Sequence, residues 1–389
     1  MVLNERNESC MKDLLEIRKE IDVIDKQMVA LFEERMTLTQ EVARYKSQTG
    51  KAVLDKDREN SKLETLQSLV QSEYNKYPVK ELFTQIMSMS RKYQYSLIES
   101  YSSELAFTKT EALPFSSESK VVFFGEPGSY SEQAMLEYFG DMDFTASSAE
   151  TFKEVMEMVH SGKADYGVLP IENSSTGGIQ DIYDLLINYD NYIVGEHVVK
   201  IDHSLVGLSG STIEGLKKVY SHPQGIMQCA TFFEEHPQIE AVKYLSTAAG
   251  AKKVLEDNDI TQGAIASPRA VSVYGLTVLK EKLNYESSNS TRFIIIANQK
   301  IYLENANKVS ICFELPHESG TLYNMLSHFI YNNLNMTKIE SRPILGRPWE
   351  YRFYVDFEGN LQDAGVKNAI NGIKEEAVNL KILGNFAIV

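Results

Sequence analysis

The stretch LLEIRKEIDVIDKQMVALFEERMTLTQEVARY, residues 14–45, carries the strongest structural signal in this sequence of 389 residues. Its apolar side chains recur at alternating steps of three and four, which predicts one long α-helix with a single apolar seam. The seam residues are Leu14, Ile17, Ile21, Ile24, Met28, Leu31, Leu38, Val42 and Tyr45. Arg35 interrupts the seam, and a buried guanidinium is costly unless it is paired. A polar residue that only fixes the helix register is the alternative interpretation.

Two further cations, Arg18 and Lys46, follow seam positions by one residue. Arg35 and Lys46 are about 16 Å apart along such a helix, so their long side chains can converge on one small anion. Arg18 is about 25 Å from Arg35, too far to reach the same ligand within a straight helix. If all three serve one site, Arg18 comes from a second chain. The stretch therefore predicts an intertwined helical dimer with an anion site across its core.

Composition indicates a globular protein with two or three domains, since 43% of residues are hydrophobic and 24% are charged. The net charge of -15 and the absence of a long basic block argue against a nucleic-acid partner. Cys10, Cys229 and Cys312 are scattered and predict neither a disulfide framework nor a zinc site. No secretory signal or membrane-length apolar run is recognisable, so the expected location is the cytoplasm. We expect no metal and no cofactor.

Two shorter helices are predicted to follow the first, which should end at a left-handed Gly50. The second is predicted to begin at Asp57, and the third at Pro78, a residue suited to a first helical turn. Ser90 and Gln94 fall on the apolar stripe of the third helix, one turn apart. The segment is therefore predicted to be all-helical, with polar groups on faces that ought to be dry.

This order of elements resembles the AroQ-type chorismate mutase domain. The residues that match the polar site of that family are Arg18, Arg35, Lys46, Asp55, Arg58, Glu59, Ser90 and Gln94. Taken singly, the acidic and basic residues at 55–59 could be a solvated helix start, and Ser90 a small core residue. The resemblance implies an intertwined dimer in which Arg18 enters the site of the partner.

The implied reaction is the rearrangement of chorismate to prephenate, which requires a folded dicarboxylate and stabilisation of charge on the ether oxygen. By resemblance, Arg18 and Arg35 bind the carboxylates, with Arg58 close by. Lys46 and Gln94 would donate to the ether oxygen. Glu59 and the loop at Asp55 would orient the ring hydroxyl.

Residues 100–120 are rich in Ser, Thr and Glu and are predicted to form a linker. Beyond it, buried strands alternate with Gly- and Ser-containing loops that open helices, which predicts an α/β domain with parallel strands. Several such loops could form amide nests for an anionic ligand. No phosphate-binding loop of the nucleotide type occurs, so a nucleotide ligand is not expected.

This second segment resembles prephenate dehydratase, through GEPGSYS (125–131), PIENS (170–174), SHPQ (221–224), STAA (246–249) and TRF (291–293). The family fold is a two-lobed α/β domain like a periplasmic binding protein. By resemblance, Thr291 assists loss of the hydroxyl within a hydrogen-bond network, and Arg292 holds a carboxylate or braces the cleft. The residues implied to line the pocket are Glu172, Asn173, Ser174, Ser246 and Thr247. His222 is a candidate acid or a structural residue, and Cys229 is expected to be a packing residue.

The last segment has a predicted β-α-β-β-α-β order, which indicates a ferredoxin-like domain. It resembles the ACT domain of dehydratases, with Gly320, Thr321 and Leu322 in place of a Gly-Ala-Leu turn and an intact Glu340, Ser341, Arg342, Pro343 motif. The resemblance implies L-phenylalanine bound between paired domains at Gly320, Leu322 and the residues of 340–343, with feedback inhibition. A dimerisation module without a ligand is the alternative.

Nearly the whole chain thus resembles the P-protein family of bifunctional enzymes. The predicted domains are a helical mutase domain (1–105), a dehydratase domain (118–300) and an ACT domain (305–389). The predicted reactions convert chorismate to prephenate and prephenate to phenylpyruvate, in a homodimer or a tetramer with no nucleic-acid or membrane partner. The competing hypotheses are an amino-acid-sensing binding protein without catalysis, and a chain in which one catalytic domain is inactive.

Overall fold

The structure, a computed structural model, describes residues 13–98, 107–140, 142–284 and 288–388. The chain divides into two compact units, which are described separately. The first unit comprises Met1–Glu104, Tyr323–Asn332 and Lys367–Glu376. The second unit comprises Leu105–Leu322, Asn333–Val366 and Ala377–Val389. The boundaries of the three predicted domains stay a prediction, because each compact unit combines several separate segments of the chain.

Three helices form the N-terminal part of the first unit: α1 (Leu14–Thr49), α2 (Lys56–Ser68) and α3 (Glu73–Leu97). The predicted end of α1 is confirmed, because Gly50 has a φ of 67° in the left-handed conformation that closes a helix. The apolar seam of α1 is exposed in the single chain. Ile24 is 54% exposed and Leu31 is 66% exposed.

The predicted starts of α2 and α3 are wrong. Asp55 caps α2, and its side chain accepts a hydrogen bond from the Arg58 N–H, so this helix begins before Asp57. The third helix begins at Glu73 and contains Pro78 in its second turn. Proline has no backbone N–H, so the carbonyl of Tyr74 lacks its helical hydrogen-bond donor. Tyr74 is exposed, and water can donate to this carbonyl instead.

The second unit contains many short strands. They are β1 (Thr108–Thr110), β2 (Lys120–Phe124), β3 (Thr145–Ala149), β4 (Tyr166–Asn173), β5 (Gly177–Gly178), β6 (Tyr192–Lys200), β7 (Ser204–Gly207), β8 (Lys218–Ser221), β9 (Glu240–Lys243), β10 (Gln262–Ala266), β11 (Thr277–Lys280), β12 (Ser290–Ala297), β13 (Ile301–Leu303), β14 (Lys308–Glu314), β15 (Met336–Ile344), β16 (Arg347–Glu358) and β17 (Asn379–Phe386).

Its helices lie between these strands. They are α4 (Tyr130–Phe139), α5 (Phe152–His160), α6 (Gln180–Asn188), α7 (Pro223–Gln228), α8 (Ala230–Glu235), α9 (Thr247–Asp257) and α10 (Pro268–Tyr274). Two later helices, α11 (Thr321–Tyr331) and α12 (Ala364–Glu376), start in the second unit and continue in the first. Among the described residues, no helix combines the length and apolar character needed to cross a membrane.

The strands of the second unit form two main sheets. The larger has the order β15-β16-β14-β17-β6-β12-β4-β2-β3, and the smaller has the order β11-β7-β10-β8-β9. The prediction of parallel strands holds for β2, β3 and β4 and for β8, β9 and β10. It is wrong for β12, which runs antiparallel to both β4 and β6. Local sequence cannot reveal this, because strand direction is set by neighbours far away in the chain.

Consecutive apolar residues along the strands place apolar side chains on both faces of the larger sheet. Val122 and Leu169 belong to one buried cluster, while Val121 and Val168 belong to another. Consecutive strand residues point to opposite faces, so these runs of adjacent apolar residues fill two cores. The smaller sheet has its own two clusters on the same principle.

The predicted linker is partly wrong. Residues 99–106 lie outside the described residues, but Thr108–Thr110 pairs in parallel with Ile301–Leu303. Phe115 stacks on Phe139 at a ring distance of 4.8 Å. Leu113 and Phe115 are thus apolar anchors in an otherwise polar stretch, and they hold it against the core of the second unit.

The C-terminal segment has the order β14-α11-β15-β16-α12-β17, and its four strands are arranged β17-β14-β16-β15. Its sheet continues into the larger sheet because β17 pairs with β6 at Gly384 and Ile193. A Cβ atom at position 384 would lie 2.1 Å from the Ile193 carbonyl oxygen. Glycine is therefore required for this approach of two backbones.

Candidate active sites

A cavity of about 290 Å³ lies in the first unit among α1, α2 and α3. Its lining includes five cations and two carboxylates. The lining residues are Arg35, Thr39, Val42, Lys46, Val53, Asp55, Arg58, Glu59, Lys62, Met87, Ser90, Arg91 and Gln94. On a chain of net charge -15, this local excess of cations makes the cavity suited to a small dianion.

Arg35, Ser90 and Gln94 meet on one wall of the cavity. The Arg35 guanidinium donates to Ser90 Oγ, which itself donates to the Ile86 carbonyl at 2.8 Å. Gln94 Nε2 donates to the Ser90 carbonyl at 3.1 Å, and Gln94 Oε1 has no hydrogen-bond partner among the described residues. One N–H of that amide remains for a ligand, as does most of the guanidinium.

Lys46 lies across the cavity and donates to the Val53 carbonyl at 2.5 Å. An ammonium has three N–H bonds, so it keeps two donors for a ligand. Burial lowers the pKa of Lys46, while the carboxylates of Glu375 and Asp55 act in the opposite direction. Asp55 also lines the cavity, and its side chain caps α2.

Arg91 is a residue of this site that sequence reasoning missed. It is 7% exposed, and its Nη1 donates to Glu59 Oε2 at 2.5 Å. It also contacts Glu376, which the N-terminal sequence could not suggest. A sequence signal existed, since Arg91 lies next to Ser90 on the predicted third helix. Arg18 lies 17 residues before Arg35 on α1 and outside the cavity lining, so its role stays a prediction that needs a second chain.

The second unit brings Asn173 and Thr291 together at the ends of paired strands. They are opposite each other in the β4–β12 register, and Asn173 Nδ2 donates to Thr291 Oγ1 at 2.9 Å. Asn173 is 5% exposed and Thr291 is 8% exposed. Ser174 lies alongside, with its N–H donating to the Ser290 carbonyl at 2.9 Å. The strand pairing therefore fixes the threonine hydroxyl within a polar network, and its catalytic role stays a prediction.

The network extends to the start of α7, which lies beside the start of α9. Gln224 Nε2 donates to Thr176 Oγ1 at 2.8 Å, and Thr176 Oγ1 lies 3.3 Å from Asn173 Oδ1. Ser246 caps α9 by accepting from the Ala249 N–H at 3.0 Å. A Cβ at Gly225 would lie 3.4 Å from the Thr247 side chain, so the starts of α7 and α9 are adjacent. Sequence reasoning missed Thr176 and Gln224.

Arg292 braces this region. Its Nη1 donates to Glu172 at 2.6 Å, and its Nη2 donates to Glu196 and Asp356 at 2.7 and 3.0 Å. Burial alone would lower the pKa of Arg292, but Glu196 and Asp356 raise it. Three carboxylates surround the guanidinium, so of its two predicted roles the arrangement favours bracing the cleft.

Glu172 is held as a carboxylate. Burial alone would raise the pKa of Glu172, but Lys338 at 3.0 Å and Arg292 hold it below its ordinary value. It therefore carries no proton to give at neutral pH. His222 also has a structural role, because its Nδ1 accepts from the Gln224 N–H at 3.3 Å and caps α7. Cys229 is fully buried, and burial raises the pKa of its thiol to about 12, as expected of a packing residue.

The predicted effector residues fall on two surfaces of the second unit. Thr321 and Leu322 line a hollow of about 100 Å³ beside Trp349 and Tyr351. Arg342 lies on β15, where it pairs with Gln180 and, at 2.6 Å, with Asp184. Gly320 has a φ of 84° and begins the turn before α11. The residues 340–343 lie outside the lining of that hollow in the single chain.

Comparison with known proteins links both sites to enzymes. The chorismate mutase type II profile matches residues 17–95, and the prephenate dehydratase profile matches residues 121–301. A bifunctional chorismate mutase/prephenate dehydratase of Escherichia coli K12 is 33% identical over 377 residues, which cover 95% of each chain. The chain belongs to this bifunctional family. As a member it is an enzyme with a mutase and a dehydratase domain.

Two solved structures each resemble about two thirds of this chain. A prephenate dehydratase from Arthrobacter aurescens in complex with L-Phe has a TM-score of 0.64 and 31% identity, covering 69% of this chain and 89% of its own. GqqA, described as a novel type of quorum quenching acylase, has a TM-score of 0.64 and 28% identity, covering 69% of this chain and 98% of its own. The α/β prediction for this part is confirmed.

Proposed function

We propose that the cavity of the first unit is the site where chorismate rearranges to prephenate. The observation that carries this is the meeting of Arg35, Lys46, Arg58, Ser90 and Gln94 around one space with an excess of cations. Arg35 binds a carboxylate, and Lys46 with Gln94 stabilises charge on the ether oxygen as its bond to the ring breaks. Glu59 accepts from the ring hydroxyl. The reaction is intramolecular, so the protein supplies position and charge rather than a nucleophile.

The dehydratase reaction belongs to the Asn173–Thr291 network. Loss of carbon dioxide leaves an electron pair that forms the ring double bond while the ring hydroxyl departs. Because Thr291 accepts from Asn173, its own O–H is free to donate to that hydroxyl, and an accepted hydrogen bond makes a hydroxyl a stronger donor. Glu172 is ionised and His222 is a helix cap, so Thr291 is the better donor. Ser174, Ser246 and Thr247 bind the substrate.

The exposed seam of α1 supports a homodimer. Ile24, Met28 and Leu31 are each about half exposed or more, at 54%, 48% and 66%. A contiguous apolar stripe of this length on a long helix is typical of an interface between helices. Pairing through this stripe also supplies Arg18 of a second chain to the mutase cavity. A tetramer would need a further interface in the C-terminal segment.

The C-terminal segment is proposed to be a ferredoxin-like ACT domain that binds phenylalanine. Support comes from its β-α-β-β-α-β order and from the hollow beside Leu322 and Trp349. The relative from Arthrobacter aurescens was solved with L-Phe. Two paired segments would bring the hollow of one to the residues 340–343 of the other. Phenylalanine bound there would inhibit its own synthesis. The enzyme is proposed to act in phenylalanine biosynthesis in the cytoplasm. Its dehydratase domain is proposed to have two lobes.

One incubation tests these assignments together. The purified chain is given chorismate, with and without phenylalanine, and the products are identified. Phenylpyruvate that decreases with phenylalanine is the expected result. Accumulation of prephenate would mean an inactive dehydratase domain, and unchanged chorismate would favour a binding protein without catalysis.

Replacement of one cation separates the two sites. Arg35→Ala is expected to reduce the mutase kcat/KM by about 100-fold or more, since a charged donor at the reacting dianion is lost. Dehydration of supplied prephenate should keep its rate, because Arg35 lies in the other compact unit. Equal loss of both activities would contradict the assignment of two independent sites.

A further inference from the structure

Two consecutive carboxylates, Glu375 and Glu376, form the last turn of α12. A helix C-terminus carries partial negative charge, so two glutamates are unfavourable there unless nearby groups compensate. Only 12% of the Glu376 side chain is exposed. The compensating groups belong to the same compact unit, which contains both this part of α12 and the mutase helices.

Arg91 joins Glu376 to Glu59. Its Nη2 and Nε donate to Glu376 Oε1 at 3.0 and 3.2 Å, while its Nη1 donates to Glu59 Oε2 at 2.5 Å. A buried guanidinium without both carboxylates would be a largely unpaired charge. Glu376 therefore helps to fix the Arg91 guanidinium, and this guanidinium in turn orients Glu59.

Glu375 holds the loop between α1 and α2. The Leu54 N–H donates to Glu375 Oε2 at 2.8 Å, and the Val53 N–H lies 3.4 Å from Glu375 Oε1. Tyr95 OH donates to the same carboxylate at 2.8 Å. Lys46 contacts this loop through the Val53 carbonyl, so the glutamate and the lysine hold opposite sides of one peptide segment.

We propose that Glu375 and Glu376 are positioning residues of the mutase site, although Glu376 follows Arg91 by 285 residues. Glu376 orients Glu59 through Arg91, and Glu375 fixes the loop that faces Lys46. The inference rests on the proposed assignment of the mutase cavity. A ligand that shifts α12 would therefore change the geometry of the mutase site.

A double-mutant cycle between Arg91 and Glu376 tests the first contact. Glu376→Gln keeps the shape of the side chain and removes its charge, and is expected to lower mutase kcat/KM about 2- to 30-fold. Arg91→Met should do the same, and the double variant should be no worse than Arg91→Met alone. Dehydration of supplied prephenate, which is proposed to occur in the other unit, should be unchanged, and thermal unfolding followed by circular dichroism reports folding of the first unit. Glu64→Gln, the same change at an exposed position of α2, is the matched control.

The outcomes separate this inference from the function on which it rests. Wild-type mutase activity in Glu376→Gln, or additive losses in the double variant, would overturn the inference while an inactive Arg35→Ala still supports the site. An active Arg35→Ala would overturn the site itself. If Arg91→Met fails to fold, Arg91→Lys takes its place in the cycle, since lysine keeps the charge but not the fork that bridges two carboxylates.

A pH profile tests Glu375. The charged groups around Lys46 are Glu375, Asp55, Arg58 and Glu59, and Glu375 raises the pKa of the lysine most among them. In Glu375→Gln, the alkaline decline of mutase activity should therefore move to lower pH, whereas a residue with a merely structural role would leave it in place. Wild-type mutase kcat/KM at neutral pH together with a decline at the wild-type pH would overturn the role of Glu375.

Discussion

At the scale of single residues, both candidate sites depend on polar groups that neighbours hold in one orientation. Asn173 donates to Thr291, and Ser90 accepts from Arg35. In each case the residue proposed to contact the substrate keeps a free donor. Such groups need no reorganisation when charge develops, which is the main source of electrostatic catalysis.

Replacing Thr291 by valine should reduce dehydration of prephenate by about 100-fold or more, the range for loss of a positioned proton donor. Valine has nearly the same shape, and Asn173 Nδ2 keeps Asn289 Oδ1 at 2.8 Å as a partner, so folding should be preserved. Thr291→Ser is the matched control and should retain activity. Steady-state rates with prephenate decide, and an active Thr291→Val enzyme would contradict the proposed donor.

The mutase rate should fall at alkaline pH. Lys46 must be protonated to donate, so activity is present below its folded pKa and is lost as the pH rises through it. Burial lowers that pKa from the ordinary 10.5. We therefore expect the decline of kcat/KM to begin at a lower pH than for a free lysine, and Lys46→Arg to remove it. A flat profile up to pH 10.5 would argue against a lysine donor.

At the scale of elements, α3 serves two partners at once. Ser90 and Gln94 are one turn apart on the face that lines the cavity, while Arg91 and Tyr95 are one turn apart on the face that meets the glutamates of α12. A single rigid helix can thus relate a substrate site to a distant segment of the chain. In the second unit, β17 likewise links distant parts of the chain, because it pairs with β6.

The close pairing of β17 and β6 predicts that Gly384→Ala is destabilising. The added methyl would lie 2.1 Å from the Ile193 carbonyl oxygen, so one strand must shift. A loss of about 1–3 kcal/mol in the free energy of unfolding is expected, as for overpacked cores. Gly215→Ala, whose methyl would meet the Thr212 side chain at 3.2 Å, is a milder control. Denaturant unfolding measures both, and equal stability would refute the steric argument.

At the scale of the whole molecule, the mutase is proposed to need two chains and the dehydratase one. Met28→Glu places a charge on the apolar seam of α1, and light scattering should show a smaller assembly than the wild type, because the α1 interface is lost. Mutase kcat/KM should fall about 30-fold or more with the loss of Arg18 from the partner, while dehydration of prephenate continues. Lys26→Glu, on the same helix but off the seam, should leave the assembly of the wild type. An active Met28→Glu enzyme with the wild-type assembly would contradict the interface.

The sequence by itself determined the long helix and its end at Gly50, and it provided candidate residues for the chemistry, because periodicity, caps and short motifs are local. Only the tertiary structure decided which groups pair. It put Arg91 between two glutamates, ran β12 against β4, and surrounded Arg292 with three carboxylates. These partners are separated by tens to hundreds of residues. Their pairing follows from packing and from the cost of leaving buried charges alone, which no local pattern records.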